Sequence, residues 1–265
     1  MHKLTPEQIT DVCDRYQKGE SSLQLGQIFG ISTRAVCGLL KRRGIERRSQ
    51  SEAHRIYTCN HRFFQTISTE LQAYWLGFLA ADVSMTTRKA VALKLAPKDH
   101  DHLVRFATAL QSTHPVLPYR NGAYMSVRIY IASPEMSLDL AQYGVIPNKT
   151  YTVRWPTLPL SLEHHFLRGY WDGDGGLSFS ASDRLTPNVT FHLTGNQPFI
   201  LACQERLMNA CQLSRTRLDQ RHTTPIFTLR YVGRHQVRRI AEWLYTDATV
   251  YLPRKRLLAY PGTLP

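Results

Sequence analysis

Acid and cysteine are both scarce in this chain. Its 265 residues hold 20 Asp and Glu against 33 Lys and Arg, giving a net charge of +13 and an isoelectric point near 9.8. That deficit of acid points to a polyanionic partner, nucleic acid first. The five cysteines (Cys13, Cys37, Cys59, Cys203, Cys211) form an odd set without a C-x-x-C pair, which argues against a disulfide framework or a zinc knuckle. They read as reduced, mostly core residues. The eleven histidines lack the flanking pattern of a zinc protease or finger, so no structural metal is expected. No run approaches the roughly 18 to 20 apolar residues of a membrane span, and the opening Met1-His2-Lys3-Leu4-Thr5-Pro6 has no signal-peptide core. The expectation is a soluble intracellular protein, cytoplasmic or nucleoid-associated in a bacterial host, with length for two or three domains.

What is present begins with three short helices over residues 1–45. Thr5-Pro6-Glu7-Gln8 supplies an N-cap, a proline at the first helical position and early acid, and Ile9, Val12 and Tyr16 follow at helical spacing. With Gly30 as turn glycine, Leu25, Phe29, Ile31, Val36 and Leu39 fall where two helices bury apolar side chains against each other, and Gly26 stands where only a small residue fits. This is the spacing of a helix-turn-helix. It makes Ser32 to Arg43 a recognition helix, with Ser32, Thr33 and Arg34 leading and Lys41, Arg42 and Arg43 trailing; a three-helix protein-interaction module is the alternative. Residues 46–68, Arg47 and Arg48 among them, are basic with little apolar periodicity. They read as a linker that follows a DNA groove or remains a solvated tether.

From residue 69 one pattern is stated twice, over 69–155 and 156–265. Each half opens with a small-residue helix ending in acid, Leu71 to Asp82 and Leu162 to Asp174. Alternating strands follow (Val91, Leu93, Leu95; Val189, Phe191, Leu193), then an amphipathic helix, then two more strands. In the first half Asn121-Gly122 predicts a type I′ hairpin turn; in the second the strands are Arg215 to Arg221 and Phe227 to Tyr231. Closing helices are expected from Ser133-Pro134 to Gly144 and from Arg234 to Tyr245. The fold class is α+β, with two pseudo-symmetric αββαββα lobes behind a small all-α domain.

Chemistry concentrates in Trp75-Leu76-Gly77-Phe78-Leu79-Ala80-Ala81-Asp82-Val83 and Leu167-Arg168-Gly169-Tyr170-Trp171-Asp172-Gly173-Asp174-Gly175, 92 residues apart. Gly77/Ala81 and Gly169/Gly173 give each helix a side-chain-poor face on which the other can approach at backbone distance. Packed together, the helices bring Asp82 and Asp174 side by side at two negative helix ends, which raises carboxylate pKa values unless a cation binds. Mg²⁺, or another divalent ion such as Mn²⁺ or Ca²⁺, suits such hard oxygen ligands and phosphodiester hydrolysis.

These two segments resemble the paired motifs of a single-chain LAGLIDADG homing endonuclease, over about residues 69–258. The resemblance implies that Asp82 and Asp174 are metal-binding catalytic acids, one per strand of double-stranded DNA, in a monomer that leaves 3′ overhangs. Asp172 matches an earlier, structural acid of the motif. The family's basic residue near each scissile phosphate falls on Lys149 and Lys255. The backbone at Val83 and Gly175 would approach the metal; Val83 replaces the usual glycine, resists a positive-φ exit, and is expected to weaken one of the two cuts. The family's β-platform, laid into the major groove, draws on strand residues facing away from the core: Lys94, Arg120, Ser126 and Arg128 in the first half, and Thr190, His192, Arg215, Arg217, Arg221, Thr228 and Arg230 in the second. An RNA maturase or a DNA-binding regulator that kept the fold without cleavage are the rival classes. The absence of a terminal His-Asn pair argues against an intein.

Overall fold

The computed structural model describes residues 4–47, 57–85, 89–180, 188–220 and 224–259. Contacts divide the chain into two compact units, Met1–Tyr57 and Thr58–Pro265. In the first, helices α1 (Pro6–Gln17), α2 (Ser22–Phe29) and α3 (Thr33–Arg42) each begin at a hydroxyl N-cap, Thr5, Ser21 and Ser32, whose side-chain oxygen accepts the N–H three residues on. Thr5 and Ser21 complete reciprocal capping boxes with Gln8 and Gln24. Gly30 ends α2 at φ 66°, and a Cβ on Gly26 would lie 2.8 Å from the Ile31 carbonyl oxygen, so both glycines are needed where the turn is tightest. Val12, Cys13, Tyr16, Leu25, Val36, Leu39 and Leu40 form this unit's core.

The second unit runs α4 (Glu70–Asp82), β1 (Ser84–Met85), β2 (Ala90–Leu95), α5 (His100–Ala109), β3 (Leu117–Asn121), β4 (Tyr124–Ala132), α6 (Pro134–Ala141), and then α7 (Leu160–Asp174), β5 (Gly175–Ser180), β6 (Asn188–Asn196), α8 (Gln197–Cys211), β7 (Asp219–Gln220), β8 (Ile226–Val232), α9 (Arg234–Leu244) and α10 (Pro253–Ala259). Two antiparallel sheets share one strand order, β1-β2-β4-β3 and β5-β6-β8-β7. The αββαββα order is thus used twice. One continuous core serves both lobes, and α4 and α7 run through it. Every residue of α4 from Ala73 to Ala80 is buried, as a helix apolar on all sides must be.

Four details depart from expectation. The segment before α4 is not linker throughout: from Thr58 it belongs to the second unit, where Phe63, Phe64 and Ile67 enter the core and Arg62 pairs with Asp139. The β3–β4 loop is Gly122-Ala123, and only Gly122 has positive φ (60°), the pattern of a type II′ rather than a type I′ turn. Of the strand expected over 215–221, only Asp219–Gln220 pairs with β8 among the described residues, so Arg215 and Arg217 lie exposed in the irregular segment before it. Arg120 sits opposite Met125, on the Val127 side of the sheet, and its Nε donates to the Gly122 carbonyl (3.2 Å); it does not share a face with Lys94 and Arg128.

Candidate active site and nucleic-acid interface

Helices α4 and α7 cross at glycine. A Cβ added to Gly77 would collide with the Phe166 carbonyl oxygen, and one on Gly169 with that of Tyr74. Backbone therefore meets backbone, and the two C-terminal ends arrive together: a Cβ on Gly173 would lie 3.3 Å from Asp82 Oδ2. Asp82 and Asp174 remain exposed to solvent at these ends, partly shielded by the protein around them. That partial desolvation raises Asp82 to about 6, assisted by the negative charge of Asp174 and opposed by Lys255, Lys149 and Arg254. Desolvation also raises Asp174, opposed first by Lys149 and then by Lys255.

Asp172 is engaged by the protein itself. It is buried, and its Oδ2 accepts from the Tyr74 hydroxyl (2.7 Å) and the Leu252 N–H (2.7 Å), which ties the segment before α10 to the first-lobe helix. Burial lifts its carboxyl to about 6. Tyr74 is also within 2.9 Å of His102 Nε2, a buried imidazole that desolvation lowers to about 3 and keeps neutral. A second polar tie lies at the other end of the helix pair: the fully buried Arg168 donates to Glu70 (2.6 Å) and to the carbonyls of Leu244 (2.7 Å) and Val250 (3.0 Å).

Lys149 and Lys255 occupy matching places at the helix exits. Lys149 Nζ donates to the Val83 carbonyl (2.7 Å), and Lys255 Nζ to those of Gly175 (2.6 Å) and Trp171 (2.7 Å). A cation at a helix C-terminus satisfies carbonyls that the helix leaves open. Both lysines are buried, and desolvation lowers Lys149 and brings Lys255 to about 8 despite the nearby carboxylates. The expected backbone positions at Val83 and Gly175 are therefore occupied by lysine hydrogen bonds.

Valine fits at position 83 without backbone strain, contrary to expectation. Val83 has φ −69° and Gly175 φ −105°, so neither exit needs positive φ. Gly175 is required because Trp171 lies where a Cβ would stand; Leu79, the counterpart of Trp171, is smaller and leaves room for Val83.

The two sheets carry different outward chemistry. Lys94 and Arg128 are paired across β2 and β4, and both lie over the Tyr119 ring (4.4 and 4.5 Å), with Tyr130 further along β4. Ser126 shares the face but donates to the Tyr119 carbonyl (3.0 Å). On the second sheet Thr190, His192 and Thr194 alternate outward, with Thr228 and Arg230 opposite them; Arg230 pairs with Asp219, and the His192 ring lies over Gly176. In the first unit Thr33, Arg34, Lys41, Arg42, Arg43 and Arg47 are exposed, and Arg34, Cys37, Gly38, Lys41 and Arg47 line one concave surface. Ser32 is also exposed, but its hydroxyl caps α3. Arg48 and Arg221 fall outside the described residues.

Sequence reasoning missed Tyr119, Arg254 and Asp99. Tyr119 becomes legible only once the β3–β4 register is known. Arg254 was passed over beside Lys255, although its guanidinium makes a two-point ion pair with Asp99, 155 residues away. Among the described residues no three His, Cys, Asp or Glu side chains cluster as a metal site, and no helix is long and apolar enough to cross a membrane.

No family model matches the chain, and no curated protein does. Solved structures do. The homing endonuclease I-WcaI bound to its DNA recognition sequence matches 72% of this chain and 88% of its own, with 11% identity and a TM-score of 0.51. The I-SmaMI LAGLIDADG homing endonuclease bound to cleaved DNA matches 71% of this chain and 85% of its own, at 11% identity and a TM-score of 0.47. At such identity the likeness is one of fold.

Proposed function

We propose that this chain, which has the fold of the single-chain LAGLIDADG homing endonucleases, is itself a site-specific endonuclease acting on double-stranded DNA. The observation that carries the reading is the glycine crossing of α4 and α7, which delivers two solvent-reachable carboxylates with raised pKa values and two buried lysines to one place. Two carboxylates with raised pKa values, where no three ligating side chains cluster among the described residues, suit a hard divalent ion whose other ligands are phosphate and water. Asp82 and Asp174 would hold Mg²⁺, or Mn²⁺ or Ca²⁺ in its stead; when bound, the ion supplies polarisation of the phosphate and of the attacking and departing oxygens.

The lysines complete the electrostatics. Lys255 spends two N–H groups on carbonyls and keeps a third for a phosphate oxygen or for proton delivery from Nζ. Lys149 and Lys255 both oppose protonation of both acids, so the two carboxylates and two ammonium groups form one shared electrostatic centre. The strand faces with Lys94, Arg128, Thr190, His192, Thr228 and Arg230 read the major groove, and the N-terminal helices add a second contact through Arg34, Lys41 and Arg47 as a helix-turn-helix.

The test is incubation with a randomised duplex library, in Mg²⁺ or in EDTA, followed by sequencing of the ends. Metal-dependent cutting at one long motif is expected. Selective binding without cutting would assign the chain to regulation instead, and an absence of both would overturn the reading.

A further inference from the structure

The two halves of the site are not chemical copies. Lys149 and Lys255 hold equivalent places, each donating to the carbonyl just after its lobe's acid, and matching them sets Arg254 where the other half has Asn148. Likewise Asp99, just before α5, corresponds to Asn196, the N-cap of α8. On the Asp82 side Arg254 crosses from the second lobe to Asp99 in the first, with Nε to Oδ1 at 2.9 Å and Nη2 to Oδ2 at 3.0 Å. Asp99 is buried and so fixes the guanidinium plane, while Nη1 takes no part in the pair and 43% of the arginine side chain remains exposed. A recess of about 260 Å³ opens there, lined by Asp82, Arg254, Lys94 and Ser126 among others. On the Asp174 side the corresponding Asn196 is spent on the carbonyls of Val153 (2.9 Å) and Thr150 (3.4 Å), and Asn148 carries no charge.

We propose that Arg254 is a phosphate-positioning residue particular to the Asp82 half, and that the strand seated there is cut first. The inference rests on the nuclease reading. In each cut a water oxygen bonds to phosphorus, the bond from phosphorus to the bridging 3′ oxygen breaks, and that oxygen leaves with a proton. A pre-oriented guanidinium holds the phosphate in line for this exchange and offsets the charge that accumulates on its oxygens. The Asp174 half, with a neutral amide in the same place, does both less well.

The experiment uses the full chain and the duplex it selects from the randomised library, with each strand labelled separately. The wild type is expected to accumulate one nick, always in the same strand, before the double-strand break. Arg254→Gln is expected to slow that strand at least 10-fold and the other less than 3-fold, so that the fixed order of the two nicks is lost. A second readout needs no cleavage: in EDTA the slope of log affinity against log salt should shrink by about one for Arg254→Gln, the signature of one lost phosphate contact. Equal nicking of both strands by the wild type, equal slowing of both by Arg254→Gln, or an unchanged slope would each overturn the inference while leaving the nuclease assignment standing. A wild type that cuts neither strand would overturn both.

Discussion

Replacing Gly169 with alanine perturbs the feature on which the site's geometry depends. The added Cβ would lie 2.9 Å from the Phe78 nitrogen and from the Tyr74 carbonyl carbon, and closer still to the Tyr74 oxygen. All three are backbone atoms of a helix buried on every side, so no rotamer change relieves the overlap and the helices must part by about 1 Å. Overpacking of this kind costs about 1 to 3 kcal/mol, with more expected against backbone, and alanine's helix propensity returns up to about 1 kcal/mol. The net expectation is a loss of about 2 kcal/mol, or a Tm lower by about 4 to 8 °C for a unit of this size. Gly38→Ala is the control, because its Cβ would meet only Arg42 Nη1 at 3.6 Å; the same substitution there should raise stability by up to about 1 kcal/mol. Thermal and urea unfolding of both variants decides the matter. A Gly169→Ala protein that melts with the wild type would refute the backbone contact, and with it the reason for the carboxylates meeting.

Other consequences follow from particular contacts. Because the Asp82 carboxyl is raised to about 6 in the folded, metal-free protein, the fold binds more protons than the unfolded chain between about pH 4 and 6; this group's contribution to stability falls as pH rises through that window. Asp82→Asn should therefore raise the Tm in EDTA at pH 7.5, with the gain fading as pH drops below 6; a gain independent of pH would contradict the assignment. Glu70→Gln removes the carboxylate facing the fully buried Arg168 and should cost about 2 to 4 kcal/mol in urea denaturation, since the guanidinium stays buried without its counter-ion. Val83→Gly should lower the Tm by opening a cavity at a buried side chain, without changing the ratio of nicks to breaks, whereas Gly175→Val should fail through overlap with Trp171. A Val83→Gly protein that cuts faster would restore the expectation set aside on backbone geometry.

Much of the site is legible in sequence because its cause is periodic or repeated. Gly77 and Gly169 stand at the same place in two segments 92 residues apart, and that repetition predicts both the helix crossing and the meeting of Asp82 and Asp174. Alternation along Val189, Phe191 and Leu193 gives the core face of β6 correctly. What escapes depends on tertiary context. Phe63, Phe64 and Ile67 lie in an irregular segment with no period to betray their burial. The outward face of Arg120 turns on a single residue of register, and β1 is only two residues long. Arg254 gains its meaning from Asp99, which no local pattern connects to it.

The most direct measurement is strand-resolved cleavage of the selected duplex by Asp82→Asn, Asp174→Asn and the double variant, alongside their affinity for that duplex in EDTA. With both carboxylates at one shared centre, the double variant should lose cleavage of both strands by at least about 10³-fold. All three variants should bind DNA at least as tightly as the wild type, because negative charge beside the phosphates has been removed. Wild-type cutting of both strands by the double variant would show that the paired helix ends are not where the chemistry happens.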